Sequence, residues 1–254
     1  MAQIVDAQYP KLIVQPGQIF LADKLTPFTD LELCIGMVAA YPVEFGEEIL
    51  RPQLCALAGQ VILECGHGQH CHNFEIGNKK AGPGYQGWIQ YFRCNEIISG
   101  KLKWFDPYNP GCCFRGWDRL PPSIQAQLRF LGKATTGTGK PNRYARAWAA
   151  ARAGDWAGYS WELSAAGYYT ASRDLYTKGL VQLAGHLDAT LPADILVISV
   201  PHVTDPAVLQ PTQGHSPFSN ADLSRILSLQ LPLTIDWDAL RDEQKALSLQ
   251  EDLG

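Results

Sequence analysis

The stretch LCALAGQVILECGHG, residues 54–68, decides how the middle of the chain folds. Leu54, Leu57, Ala58, Val61 and Ile62 recur at i, i+3, i+4, i+7 and i+8, the spacing of one face of a buried helix. Gly66 or Gly68 should stop that helix, because glycine enters the left-handed conformation just past a helix end without steric cost. Glu64 then sits in the last turn, beside apolar neighbours and facing the partial negative end of the helix dipole. Both surroundings disfavour a carboxylate, so a raised pKa is expected, as a general acid requires. A solvent-facing glutamate at a frayed helix end fits the same position, and position alone does not choose between the two.

Outward from this helix, WIQYFRCNEII and KLKWF flank Ser99-Gly100, which reads as a β-hairpin with its tip at that pair. Helices are expected through IQAQLRFLG after Pro122, then across RYARAWAAARAG, AGYSWELSAAG and DLYTKGLVQLAGHL. The middle, residues 50–187, is therefore mostly helical with one hairpin. Residues 1–49 mix short β-type runs (KLIV, QIFLA) with Pro and Gly and are treated as an N-terminal extension of unassigned role. Residues 188–254 form a C-terminal extension punctuated by Pro192, Pro201, Pro206, Pro211, Pro217 and Pro232. Within it, ILVISV (195–200) reads as a short buried strand and SNADLSRILSLQ (219–230) as a helix. The ATTGTGK stretch (134–140) lacks the first Gly and the final Ser/Thr of a phosphate-binding loop and reads as a connection between helices.

The 254 residues carry a net charge of −4, spread unevenly. Residues 121–190 hold 8 Lys/Arg against 4 Asp/Glu, and residues 191–254 hold 3 against 9. A modestly basic middle suits an anionic polymer but falls short of a nucleic-acid patch. No apolar run approaches the ~20 residues needed to span a bilayer. The first residues lack a basic segment followed by an apolar one, so no secretory signal peptide is expected. Seven cysteines are an odd number, and reduced, buried thiols are the expectation.

From residue 55 the order is apolar helix, Glu64-Cys-Gly66-His-Gly68, Asn73-Phe74, Gly77-Asn78-Lys79 and Ala81-Gly82. Asn95-Glu96-Ile97-Ile98-Ser99-Gly100, Phe114-Arg115-Gly116-Trp117-Asp118 and Ala166-Gly167-Tyr168-Tyr169-Thr170 through Tyr176 follow. This series resembles the glucosaminidase family of bacterial flagellar rod-assembly hydrolases, autolysins and phage lysins, glycoside hydrolase family 73. Its motifs there are Glu-Ser-Gly-x-Gly, an Asn-rich segment with a Gly-x-Lys-Ala turn, Thr-Glu-x-x-x-Gly on a hairpin, Phe-Arg-x-Tyr-Asp, and Ala-Gly-Tyr-Ala-Thr-Asp-Pro-x-Tyr. The match covers about residues 50–187. It departs at Cys65, where the family has Ser, at His67, where an aromatic is common, and before Tyr176, where Asp-Pro is missing and the spacing is longer.

The resemblance implies an α+β, mostly α, lysozyme-like domain of two lobes with a β-hairpin at the cleft. It implies hydrolysis of the β-1,4 glycan bond of peptidoglycan by an N-acetylglucosaminidase, with Glu64 as general acid and no cofactor. Glu96 would be the base on the hairpin and Tyr168 a third catalytic residue. Asn73, Lys79, Tyr85, Trp88 and Tyr176 would line the substrate cleft. Carboxylates ~6.5–9.5 Å apart would invert and ~5–5.5 Å apart would retain, while the substrate's own N-acetyl oxygen offers a third route. A muramidase or lytic transglycosylase on the same fold is the nearest alternative.

Cys65, His67, His70, Cys71 and His72 also invite a zinc site, although they crowd into eight residues without a clean second pair. Cys65 or Cys71 with a nearby His would make a Cys-dependent hydrolase. A glycan-binding virion protein without turnover is the non-enzymatic reading. Expected partners are glycan strands, with an immunity protein or a secretion or tail component possible for a chain delivered to the cell wall by other machinery, as a phage lysin or antibacterial toxin.

Overall fold

The computed structural model describes residues 14–82, 84–98, 101–133 and 142–197, except the side chains of 96 and 97. The fold is α+β and mostly helical. At its centre lies α2 (Arg51–Cys65), started by Pro52 in its first turn and ended by Gly66 at φ 53°, whose amide donates to the Ile62 carbonyl. Every residue from Gln53 to Ile62 is buried, so the apolar face expected from the spacing widens to the whole circumference. The polar members manage this through hydrogen bonds: Gln60 Oε1 accepts from the Tyr159 hydroxyl at 2.9 Å and Gln53 Oε1 from Tyr41 at 3.1 Å.

Helices α1 (Asp30–Phe45), α4 (Ala145–Ala153) and α6 (Arg173–Thr190) pack on α2, while α3 (Leu120–Gly132) packs chiefly on α1 and α5 (Trp156–Ala165) on α4 and α6. The principal packing is α2 on α6. Gly59 permits it, because a Cβ there would stand 3.2 Å from the Ala184 backbone nitrogen. Arg51 at the start of α2 donates to the carbonyls of Asp188, Leu191 and Pro192 and to the Asp188 carboxylate, a cation placed on the negative end of α6. The four helices expected after Pro122 are all present, with α3 beginning two residues before that proline.

The strands form two separate groups. β1 (Gln18–Phe20) pairs in parallel with β2 (Gly87–Tyr91), which pairs antiparallel with β5 (Cys113–Arg115). β3 (Cys94–Ile98) and β4 (Lys101–Phe105) form the hairpin, with Ile98 opposite Lys101. The expected long first arm thus breaks after Tyr91: β2 belongs to the three-stranded sheet and only β3 to the hairpin. Ile89, Tyr91, Cys112, Cys113 and Phe114 make a small second core between these elements.

Neither expected boundary separates independent cores. Helix α1 buries Leu31, Leu33, Ile35, Met37, Val38 and Tyr41 in the same core as α2, and Leu191 and Ile195 join it from the other end. Within ILVISV, residues Ile195–Val197 form a 3-10 turn rather than a strand; 198–200 fall outside the described residues, as do 134–140 and 219–230. Among the described residues no helix is long and apolar enough to cross a membrane.

Candidate functional site

Glu64 is half-buried in the last turn of α2, and a neutral donor reaches each of its oxygens. The Tyr176 hydroxyl, from the first turns of α6, donates to Oε1 at 2.7 Å. Asn78 Nδ2, from the loop after α2, donates to Oε2 at 2.9 Å. The α2–α6 packing therefore fixes the distance between the carboxyl and its phenol. Tyr176 is buried and stacks on Tyr169 with ring centroids 3.7 Å apart. Burial, followed by the charge of Glu64, pushes its phenol well above the ordinary tyrosine range, so it remains a donor at any ordinary pH.

Tyr168 is held differently. Its hydroxyl donates to the Gly77 carbonyl at 3.2 Å and accepts from Gln127 Nε2 at 3.2 Å. Burial and then Glu64 also raise its phenol well above the usual value. It belongs to the wall behind the Asn78 turn, whereas Tyr176, expected only as cleft lining, is the tyrosine bonded to the carboxyl.

Two residues expected to line the cleft spend their polar atoms inside the protein. Lys79 Nζ lies 2.7 Å from Glu75 Oε1 and 2.8 Å from Gln127 Oε1, with its side chain 3% exposed and that of Glu75 0%. Removing one partner of such a pair typically costs about 3–5 kcal/mol. Asn73 takes a left-handed φ of 43° and donates to the Ala22 carbonyl and Gln90 Oε1, tying the loop to the segment before α1. Tyr85 is half-buried, with the Arg115 guanidinium over its ring. Trp88 lies in β2, and its carbonyl accepts from Gly116. Glu96 lies in β3 opposite Lys103; its side chain is outside the described residues.

Asn78 and Glu75 are the residues that sequence reasoning did not single out. Asn78 had one readable signal: an asparagine after glycine tolerates the left-handed backbone, and it adopts φ 48°. Glu75 had none, because an i,i+4 Glu-Lys pair reads as a solvated surface pair.

The Cys/His cluster disperses. His67 Nδ1 pairs with Asp30 at 2.6 Å and His72 Nδ1 with Asp23 at 2.5 Å, each joining the loop to the N-terminal segment. Cys65 and Cys71 are buried, and among the described residues no three His, Cys, Asp or Glu are placed to hold a metal ion. The Cys65 thiol is pushed well up by its contact with Cys71 and by burial, the opposite of an activated nucleophile.

No family model matches the chain, and no curated protein matches it. Among solved structures, a peptidoglycan hydrolase mutant from Sphingomonas sp. A1 is similar, with 20% identity and a TM-score of 0.46 over 61% of this chain and 90% of that one.

Proposed function

We propose that the chain is a peptidoglycan hydrolase that cuts the glycan strand as an N-acetylglucosaminidase, with Glu64 as its general acid. The observation that carries this reading is the seating of Glu64: half-exposed at a helix C-terminus, with Tyr176 and Asn78 on its two oxygens. Glu64 would give its proton to the leaving glycosidic oxygen. The two donors would then stabilise the carboxylate left behind, since hydrogen bonds to a charged acceptor are the stronger kind. Glu75, the neighbouring carboxylate, is spent on Lys79, Trp117 and two backbone amides and cannot serve as base. In this reading either Glu96 on the hairpin acts as base for the attacking water, or the substrate's own N-acetyl oxygen attacks the anomeric carbon as an internal nucleophile.

Clearance of purified cell walls tests the reading. The wild type should clear them, and Glu64→Gln should do so at least about 10²-fold more slowly with an unchanged melting temperature. A wild type that releases nothing, or a Gln variant as fast, would sink it. Mass analysis of the new ends identifies the bond: reducing N-acetylglucosamine supports a glucosaminidase, and reducing N-acetylmuramic acid a muramidase. Anhydro-sugar ends, with Glu96→Gln at full rate, would mean a transglycosylase.

A further inference from the structure

We propose that Glu75, Lys79, Gln127 and Tyr168 form a closed hydrogen-bonded ring that positions Asn78 on Glu64, making them positioning residues for the hydrolysis proposed above, on which this inference rests. Glu75 Oε1 accepts from the amides of Gly77 at 3.0 Å and Lys79 at 3.3 Å, the residues on either side of Asn78. The same oxygen takes Lys79 Nζ; Nζ also reaches Gln127 Oε1, Gln127 Nε2 reaches the Tyr168 hydroxyl, and that hydroxyl returns to the Gly77 carbonyl. Trp117 Nε1 anchors the other Glu75 oxygen at 3.1 Å. Both peptide groups next to Asn78 are thus fixed by buried groups, while Asn78 itself is exposed and reaches Glu64.

Gly77 shows how closely the ring is drawn around this turn. A Cβ there would stand 2.3 Å from Gln127 Oε1 and 2.6 Å from Lys79 Nζ, so no larger residue fits without opening the ring. A buried charge pair is a poor source of net stability, because desolvation offsets much of the attraction. What this one supplies is a fixed direction for the side chain of a left-handed asparagine.

Gln127 touches neither Glu64 nor Asn78, so a cut there tests positioning. Gln127→Leu, Asn78→Ala and the double variant are compared in rate of wall clearance across wall concentrations. Each single change should lower kcat by about 10–100-fold with KM nearly unchanged. The double variant should be no slower than the slower single, because both remove one interaction. A merely structural Gln127 would lower the melting temperature while leaving the kcat of the folded protein intact, and multiplying losses in the double variant would equally overturn the proposal. Should Gln127→Leu fail to fold, Tyr168→Phe cuts the ring with its packing kept, and the same cycle with Asn78→Ala is read.

Amide hydrogen exchange at Gly77 and Lys79 reads the ring without reference to activity. Faster exchange in the cut variants supports it, and unchanged exchange overturns it. A wild type that clears no walls would defeat the hydrolase reading alone.

Discussion

At the scale of single residues, the proposed site is a carboxyl whose two oxygens are aimed by two side chains of different kinds. Tyr176 comes from a rigid helix and Asn78 from a turn, so their removal has separable effects. Tyr176→Phe keeps the stack on Tyr169 and loses only the donor to Oε1. About a 10–100-fold loss of kcat is expected, with little change in melting temperature, measured on purified walls. A variant of wild-type rate would show that the phenol is structural. The place of Glu64 in the last turn of α2 was legible because two local signals meet there, an apolar period and a glycine stop. Glu75 and Lys79 were not: their burial is decided by Trp117 and Gln127, 42 and 48 residues away in the chain. Sequence spacing carries no trace of such a placement, and Lys79 therefore reads as a residue lining the cleft.

At the scale of elements, α1 teaches a similar lesson from the other side. Its sequence DLELCIGMVAAYPVEF is apolar nearly throughout and contains Pro42, which obscures a helical period. A start signal was nonetheless present: Thr29 and Glu32 form a capping box, with the Thr29 side chain accepting from the Glu32 amide and the Glu32 carboxylate accepting from the Thr29 amide. Thr29→Ala should cost about 0.5–2 kcal/mol in urea unfolding. A null result would mean that packing alone holds the helix end. The hairpin was legible from its turn pair, but its first arm was overestimated. Tyr91 closes β2 against Cys113, so pairing with β5 claims the residues before Phe92 that the run WIQYFRCNEII had assigned to the hairpin.

At the scale of the whole molecule, the buried thiols link stability to alkaline pH. Cys34 and Cys65 are pushed well up by their surroundings, and burial takes Cys55 to about 12. A raised folded-state pKa means that stability is fully present below the unfolded thiol value of about 8.5. Above that value the unfolded chain ionises first and stability drains away as pH climbs towards the folded values. The urea midpoint should therefore fall steadily between about pH 8.5 and 11, and less steeply in Cys34→Ala and Cys55→Ala. A midpoint flat over that range would show that the thiols ionise inside the fold.

The parallel pairing of β1 with β2 sets Gln18 beside Gly87, across a large part of the described chain. Such a contact closes a long loop before it returns any energy, and contacts of that kind slow folding. During synthesis β1 waits, unpaired, until β2 has left the ribosome, while α1 and α2 already have one another. The sheet edge beside Gly87 thus stays open while the intervening chain is made, and a second copy of residues 18–20 could enter it first. Refolding yield should drop as protein concentration rises, and less so when β1 carries a proline that forbids the pairing.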